Sequence, residues 1–236
     1  MSASAVIFDF DGVIASTEDL HLQGYNRALE DLSGSVGRAV QVNSETYFDR
    51  YVVYGSADAF AHMLSDAGVQ PTPPLIRELC QTKDRFLDMQ LDSIVEPLPG
   101  VRPLLEFLAS KGTICGICSS ARRAEIIKLI SAMGIKAHFR AVVSSDDVTF
   151  GKPHPEGYQK AFEILKTQSP DLAPNHALVI EDTAGGAAAA ADAGFRVLGV
   201  ATTSPLEAVC RWATWAVPDL TQVDLKQVQK WLAGAS

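Results

Sequence analysis

The amino-acid sequence predicts a doubly wound α/β domain that carries an inserted all-helical domain. Five short apolar runs, bounded by Gly, Ser or Asp, are typical of strands buried on both faces of a parallel sheet. Segments that alternate with these runs place apolar residues three or four positions apart, which indicates amphipathic helices. About a hundred residues separate the first run from the second, too many for a simple connection in a compact domain.

The alternation of strands with helices is the basis for predicting a Rossmann-like parallel sheet. The predicted strands are 5–8, 114–118, 141–143, 177–180 and 196–200. The predicted helices of the same domain are 101–108, 123–133, 155–165 and 183–193. We expect this core domain to comprise residues 1–16 and 93–236.

The long connection after the first strand is predicted to fold into a helical cap domain, residues 17–92. Turns containing Gly or Pro, at 34–37, 55 and 68–73, divide it into segments with helical spacing of apolar residues. The predicted helices are 20–32, 45–51, 57–67 and 74–91.

The charge balance excludes several kinds of partner. The formal net charge is -8 at pH 7, so there is no general basic surface for nucleic acid or for anionic membranes. A small anionic substrate is still compatible with this charge, because a few cations and a metal set the local potential. No apolar stretch approaches the roughly 18 residues of a membrane span, and no signal-peptide pattern is present. We therefore expect a cytoplasmic protein, and we expect a monomer.

Polar residues follow four of the predicted strands, at the sheet edge where open parallel sheets bind ligands. Asp9 and Asp11 stand two positions apart, which in extended chain puts both carboxylates on one side. One carboxylate can attack a phosphoryl group while the other donates a proton to the leaving oxygen. The full set of strand-end residues is 9–12, Ser119, Ser120, 151–153, Glu181 and Asp182.

The same residues predict a metal and its substrate class. So many carboxylates in one place need a cation, and oxygen ligands without His or Cys favour Mg²⁺. Lys152, the Ser119 hydroxyl and backbone N–H groups after Asp9 can hold phosphoryl oxygens. An Asp-x-Asp-Gly sequence alone would favour an ordinary turn or a weak calcium-like loop over a catalytic motif. The four strand ends together favour phosphate chemistry.

Four motifs in this order resemble those of the haloacid dehalogenase superfamily. They are Asp9-Phe10-Asp11-Gly12-Val13, Ser119, Gly151-Lys152-Pro153-His154-Pro155-Glu156 and Glu181-Asp182-Thr183. The helical insertion after the first motif resembles the subgroup that contains β-phosphoglucomutase and the CbbY-type sugar-phosphate phosphatases.

The resemblance implies a role for each motif residue. Asp9 would be the nucleophile and a Mg²⁺ ligand, and Asp11 the general acid/base that also binds the metal through its backbone carbonyl. Asp182, directly or with Glu181, would complete the metal site. The phosphoryl group would be held by Ser119 and Lys152, with Ser120 and Phe10 as further members of the phosphate-binding set.

The predicted cap carries the residues that would choose between two reactions. His21 resembles a cap-hinge histidine that contacts substrate, and Gly55 resembles the glycine of a specificity loop. Mutases of the subgroup carry an arginine three positions after that glycine, where this chain has Asp58. We therefore expect a phosphatase acting on a small phosphomonoester such as a sugar phosphate, in preference to a phosphomutase or a non-catalytic binding protein. Arg122 and Arg123 are either phosphate-reading groups or a solvated helix start.

Overall fold

The chain, analysed as a computed structural model that describes residues 3–36, 40–94 and 96–233, divides into two compact units. Unit 1 comprises Met1–Ser16 and Ile94–Ser236. Unit 2 comprises Thr17–Ser93.

Unit 1 contains a parallel sheet of six strands in the order β3-β2-β1-β4-β5-β6. The order changes direction at the first strand, which confirms the predicted doubly wound architecture. A sixth strand, which the sequence analysis missed, lies at the sheet edge; it has three half-buried residues, too few for a visible apolar run. The strands are β1 Ala5–Phe8, β2 Ile114–Cys118, β3 Phe139–Val143, β4 Ala177–Glu181, β5 Arg196–Val200 and β6 Trp215–Val217.

Unit 2 is helical and has its own core. Tyr25 and Phe60 meet edge to face with ring centroids 4.9 Å apart, and Tyr47 packs beside them. The first helix continues through Gly34, where a break was predicted at 34–37, because one glycine costs a helix only about 1 kcal/mol. Gly37 lies outside the described residues. The helices of unit 2 are α1 Glu18–Val36, α2 Ser44–Arg50, α3 Ser56–Asp66 and α4 Pro73–Gln90.

The helices of unit 1 cover the sheet. Ala5 and Ile7 of β1 share a buried cluster with residues of the two helices that flank β4 in sequence. Because strand side chains alternate between faces, the intervening Val6 and Phe8 are directed to the other face. The helices are α5 Val101–Ser110, α6 Arg123–Ala132, α7 Glu156–Gln168, α8 Ala184–Asp192, α9 Leu206–Val209 and α10 Leu225–Leu232.

The central position of β1 determines where the site forms. Its residues pair with β2 on one side and β4 on the other, and all four are completely buried. The residues that follow β1 therefore emerge in the middle of the sheet edge. Among the described residues, none of the helices is both long and apolar enough to cross a membrane.

Candidate active site

Asp9 stands at the carboxyl end of β1 and is buried, with 7% of the residue exposed. Its backbone N–H donates to the carbonyl of Ile180 at 2.9 Å, so the pairing with β4 continues up to this residue. The carboxylate is consequently held on ordered backbone at the strand end, where a nucleophile would be positioned with little freedom.

The chain turns sharply directly after Asp9. The backbone N–H groups of Ile14 and Ala15 both donate to the carbonyl of Phe10, at 2.8 and 3.0 Å. Gly12 has a φ of +74°, and a Cβ at this position would lie 1.9 Å from the carboxylate oxygen Oδ2 of Asp182. Only glycine fits there, because it tolerates positive φ and has no Cβ. The Phe10 side chain is completely buried, so this residue can offer the site only its backbone.

Lys152 connects two buried carboxylates. Its Nζ lies 2.7 Å from Asp9 Oδ1 and 2.6 Å from Glu181 Oε1. Burial by itself lowers the pKa of Lys152, but the two carboxylates outweigh it and raise that pKa above its usual value. Lys152 is therefore a permanent cation at the end of β1.

The pKa of Asp9 is raised well above its ordinary value. Burial is the main cause, and the Glu181 carboxylate adds to it, while the Lys152 ammonium opposes the shift. Asp11 contributes a smaller upward effect on the pKa of Asp9. One lysine thus leaves this group of acids with uncompensated mutual repulsion.

Glu181 is completely buried, and both of its oxygens accept hydrogen bonds. Oε1 accepts from Lys152 and from the hydroxyl of Tyr158, at 2.6 and 2.7 Å. Oε2 accepts from the backbone N–H groups of Asp182 and Thr183 and from the Thr183 hydroxyl, each at 3.0 Å. Five donors use the lone pairs of this carboxylate, which is thereby held rigidly against Lys152.

The loop that carries Lys152 is held by Glu156 at the start of α7. The carboxylate of Glu156 accepts from the backbone N–H groups of Thr149 and Phe150, at 3.0 and 2.9 Å. It also pairs with Lys160 at 2.7 Å. These contacts join residues that precede Lys152 in the chain to a residue that follows it. They therefore hold the loop in place and restrict the position of the Lys152 ammonium.

Ser119 stands at the end of β2, beside the first motif. Its hydroxyl lies 3.3 Å from Asp11 Oδ2 and accepts a hydrogen bond from the backbone N–H of Ala121 at 2.9 Å. Ser120, the next residue, is half-buried. The structure therefore brings together Asp9, Asp11, Ser119, Lys152, Glu181 and Asp182, which the sequence analysis had singled out.

Three of these acids form a group that could hold a metal ion. Asp9, Glu181 and Asp182 each place an oxygen within 4.8 Å of the others. An all-oxygen set of buried, mutually repelling carboxylates has the chemistry that hard cations such as Mg²⁺ prefer, so the residues fit this ion. The Thr203 hydroxyl, from the loop after β5, donates to Asp182 Oδ2 and orients that carboxylate.

The two arginines after Ser119 differ in placement. Arg122 precedes α6 as its N-terminal cap residue and is half-buried. The Arg123 guanidinium donates to the Val142 carbonyl and to Asp147 Oδ2, both at 2.7 Å. Arg123 thus contacts β3 and the segment that follows it.

The remaining predicted residues belong to unit 2. Gly55 is the N-terminal cap residue of α3. His21 is buried, and its Nδ1 lies 2.7 Å from the ammonium of Lys83, which also donates to the Ser56 hydroxyl at 3.0 Å. Lys83 is only 1% exposed, an unusual environment for lysine.

Comparisons with known proteins identify the family. A doubly wound sheet with interacting buried carboxylates and a lysine at its strand ends defines a class of α/β enzymes. A family model for haloacid dehalogenase-like hydrolases matches residues 6–200. The chain belongs to this family, which confirms the resemblance seen in its motifs.

Individual relatives point to phosphate chemistry in the same family. Protein CbbY from Rhodobacter capsulatus is 28% identical, and the match covers 94% of this chain and 95% of that protein. A phosphorylated carbohydrates phosphatase from Thermotoga maritima is also 28% identical, over 83% of this chain and 84% of that protein. The crystal structure of β-phosphoglucomutase from Clostridium difficile has a TM-score of 0.84 at 21% identity, covering 98% of this chain and 97% of that one. This last likeness shows the fold.

Sequence reasoning missed three residues of interest. Lys83 could have been found, since it interrupts an apolar stripe formed with Leu79 and Leu87 on α4. Tyr158 occupies an apolar position of α7 and gives no sign of a polar partner. Thr203 lies in a loop that no motif marks.

Proposed function

We propose that the chain is a magnesium-dependent phosphatase that hydrolyses a small phosphomonoester, with sugar phosphates as the favoured substrate class. The observation that carries the proposal is the Lys152 ammonium, which joins Asp9 to Glu181 inside a buried group of acids. A cation in this position would help the strand-end carboxylate of Asp9 to attract a phosphoryl anion and later to release it.

The proposed reaction has two steps on one carboxylate. Asp9 attacks the phosphorus, an aspartyl-phosphate forms, and the leaving alcohol takes a proton from Asp11. Water then attacks the aspartyl-phosphate, Asp11 accepts the proton of that water, and phosphate and the free Asp9 carboxylate are released. Lys152 and the Ser119 hydroxyl hold the phosphoryl oxygens during both steps.

We propose that the carboxylates of Asp9 and Asp182 and the backbone carbonyl of Asp11 would hold Mg²⁺. When bound, this ion supplies positive charge that polarises the phosphoryl oxygens. We propose that Glu181 binds Lys152 and does not serve as the metal ligand that the sequence analysis expected. Its two oxygens already accept five hydrogen bonds.

Water, and not a second sugar oxygen, is the proposed acceptor of the phosphoryl group. Asp58, in the first turn of α3, stands where the mutase pattern has an arginine, and an acidic residue is unsuited to binding a second phosphate. The activity in the name of the Thermotoga maritima relative, a phosphorylated carbohydrates phosphatase, supports the same reaction class.

A screen of phosphorylated metabolites with Mg²⁺ tests the proposal. We expect at least one sugar phosphate to release inorganic phosphate and chelation of the metal to stop the release. Asp9→Asn, which preserves shape, should lower the rate at least about 1,000-fold. The exposed Asp171, changed to Asn, is the matched control and should leave the rate unchanged.

Two outcomes would contradict the proposal. Interconversion of β-glucose 1-phosphate and glucose 6-phosphate faster than hydrolysis would make the chain a phosphomutase. Phosphate release by Asp9→Asn at the unmodified rate would show that the turnover uses a different nucleophile.

A further inference from the structure

The hydroxyl of Tyr158 makes a buried contact that the proposed reaction does not use. Tyr158 is completely buried on α7, and its ring packs in a cluster with Cys118 and Phe162. The hydroxyl donates to Glu181 Oε1 at 2.7 Å. Packing in this cluster needs only the ring, so the hydroxyl has to be explained by what it contacts.

That contact leads directly to Lys152. Glu181 Oε1 accepts from the Tyr158 hydroxyl and from Lys152 Nζ, so the two donors share one oxygen. The Lys152 ammonium also lies 5.0 Å from the centroid of the Tyr158 ring, within the range of a cation–π interaction. Tyr158 therefore faces Lys152 through its ring and through the carboxylate that binds it.

We propose that Tyr158 is a positioning residue that acts through Glu181. Its hydroxyl determines how strongly the Lys152 ammonium binds Glu181 and therefore how close that ammonium stays to Asp9. This inference rests on the proposed function, because it assigns Lys152 to the phosphoryl group at Asp9. With the hydroxyl present, Oε1 shares its electron density between two donors. Without it, Oε1 binds the ammonium more strongly and draws it away from Asp9.

Tyr158→Phe tests the inference, since it removes the hydroxyl and keeps the ring. We expect kcat to fall about 10-fold, the scale seen when the partner of a functional group is removed, with KM changed less than twofold. The matched control is Tyr47→Phe, another buried tyrosine whose hydroxyl donates to a carboxylate, Glu18, at 2.6 Å, but in unit 2. It should leave kcat and KM unchanged.

A double-mutant cycle separates positioning from a purely structural role. If Tyr158 acts through Glu181, Tyr158→Phe should change kcat by less than twofold when Glu181→Gln is already present. The same 10-fold loss in both backgrounds would show that the tyrosine does not act through Glu181 and would overturn the inference.

Beryllium trifluoride, a tetrahedral mimic of a phosphoryl group on a carboxylate, provides a readout without turnover. With Mg²⁺ present, ¹⁹F NMR titration should show about 10-fold weaker binding to Tyr158→Phe than to the unmodified protein or Tyr47→Phe. Equal affinity for all three would overturn the inference.

The same titration distinguishes failure of the inference from failure of the proposed function. If the unmodified protein binds beryllium trifluoride but hydrolyses no phosphomonoester, the phosphatase proposal fails, and the comparison of affinities still decides the role of Tyr158. If the unmodified protein does not bind beryllium trifluoride, Asp9 is not a site for a phosphoryl group, and both proposals are wrong.

Discussion

The ammonium of Lys152 lies 2.7 Å from Oδ1 of Asp9, although 143 positions separate the two residues in the chain. The contact forms because β1 is central in the sheet and the loop before α7 reaches its carboxyl end. Glu181 holds the same ammonium from the other side at 2.6 Å. The three groups form a buried ion cluster whose members depend on one another for charge compensation.

Replacing Lys152 should destabilise the protein as well as inactivate it. Lys152→Met leaves two buried carboxylates without their cation, and we expect the free energy of unfolding to fall by about 3 kcal/mol. Urea denaturation measures this change, and the rate of phosphate release measures the loss of activity.

The double variant Lys152→Met with Glu181→Gln is the control for this experiment. Removing the second charge should restore part of the stability, because one fewer carboxylate remains buried without a partner, and activity should stay lost. Full stability of the single Lys152→Met variant would contradict the ion cluster.

Thr203 should affect metal binding without being a metal ligand itself. Thr203→Val removes the hydroxyl that donates to Asp182, and we expect Mg²⁺ affinity to weaken about 10-fold by calorimetric titration. Thr221→Val removes a similar hydroxyl bond to Asp219 and should leave the affinity unchanged. Equal affinities of both variants would rule out orientation of Asp182 by Thr203.

Arg123 should contribute to stability and not to catalysis. Arg123→Gln removes the bonds to the Val142 carbonyl and Asp147, and we expect the free energy of unfolding to fall by about 1 kcal/mol. The KM for the best substrate of the screen should not change. A raised KM would instead favour the phosphate-reading role considered from the sequence.

Glu156 should make a pH-dependent contribution to stability. Its hydrogen bonds to Lys160 and to the backbone of Thr149 and Phe150 lower its pKa from 4.5 to about 2. A lowered pKa in the folded state stabilises that state at pH values above 4.5, and the contribution disappears as the pH falls towards 2.

Comparison of the unmodified protein with Glu156→Gln measures this effect. The difference between their urea midpoints should be largest near neutral pH and should shrink progressively below pH 4.5. Glu163→Gln, an exposed position on the same helix, is the control. A difference that grows as the pH falls would have the wrong sign and would contradict the pKa shift.

The parts of the fold that were predictable are those with a local physical signal. The first five strands are apolar because parallel strands are buried on both faces, and that signal is present in short stretches of chain. The strand β6 gave no such signal, because an edge strand of three half-buried residues has little apolar surface. The extension of α1 through Gly34 was missed because a glycine weakens a helix without necessarily ending it.

The candidate site was predictable for a related reason. The carboxyl ends of parallel strands meet at one edge, so Asp9, Ser119 and Asp182 could be expected together from their positions after apolar runs. Roles within the site depend on contacts across the chain. Glu181, for example, accepts hydrogen bonds from five donors in three segments of the chain, and no local pattern of residues reveals these contacts.

The sequence by itself determined the doubly wound sheet and the identity of its strand-end acids, because strand burial and motif order are local properties of the chain. Only the tertiary structure decided that Asp9 and Glu181 are the acids that bind Lys152, and that Tyr158 and Thr203 contact the acids. Hydrogen bonds between residues far apart in the chain depend on atomic distances, and no local pattern of residue types encodes those distances.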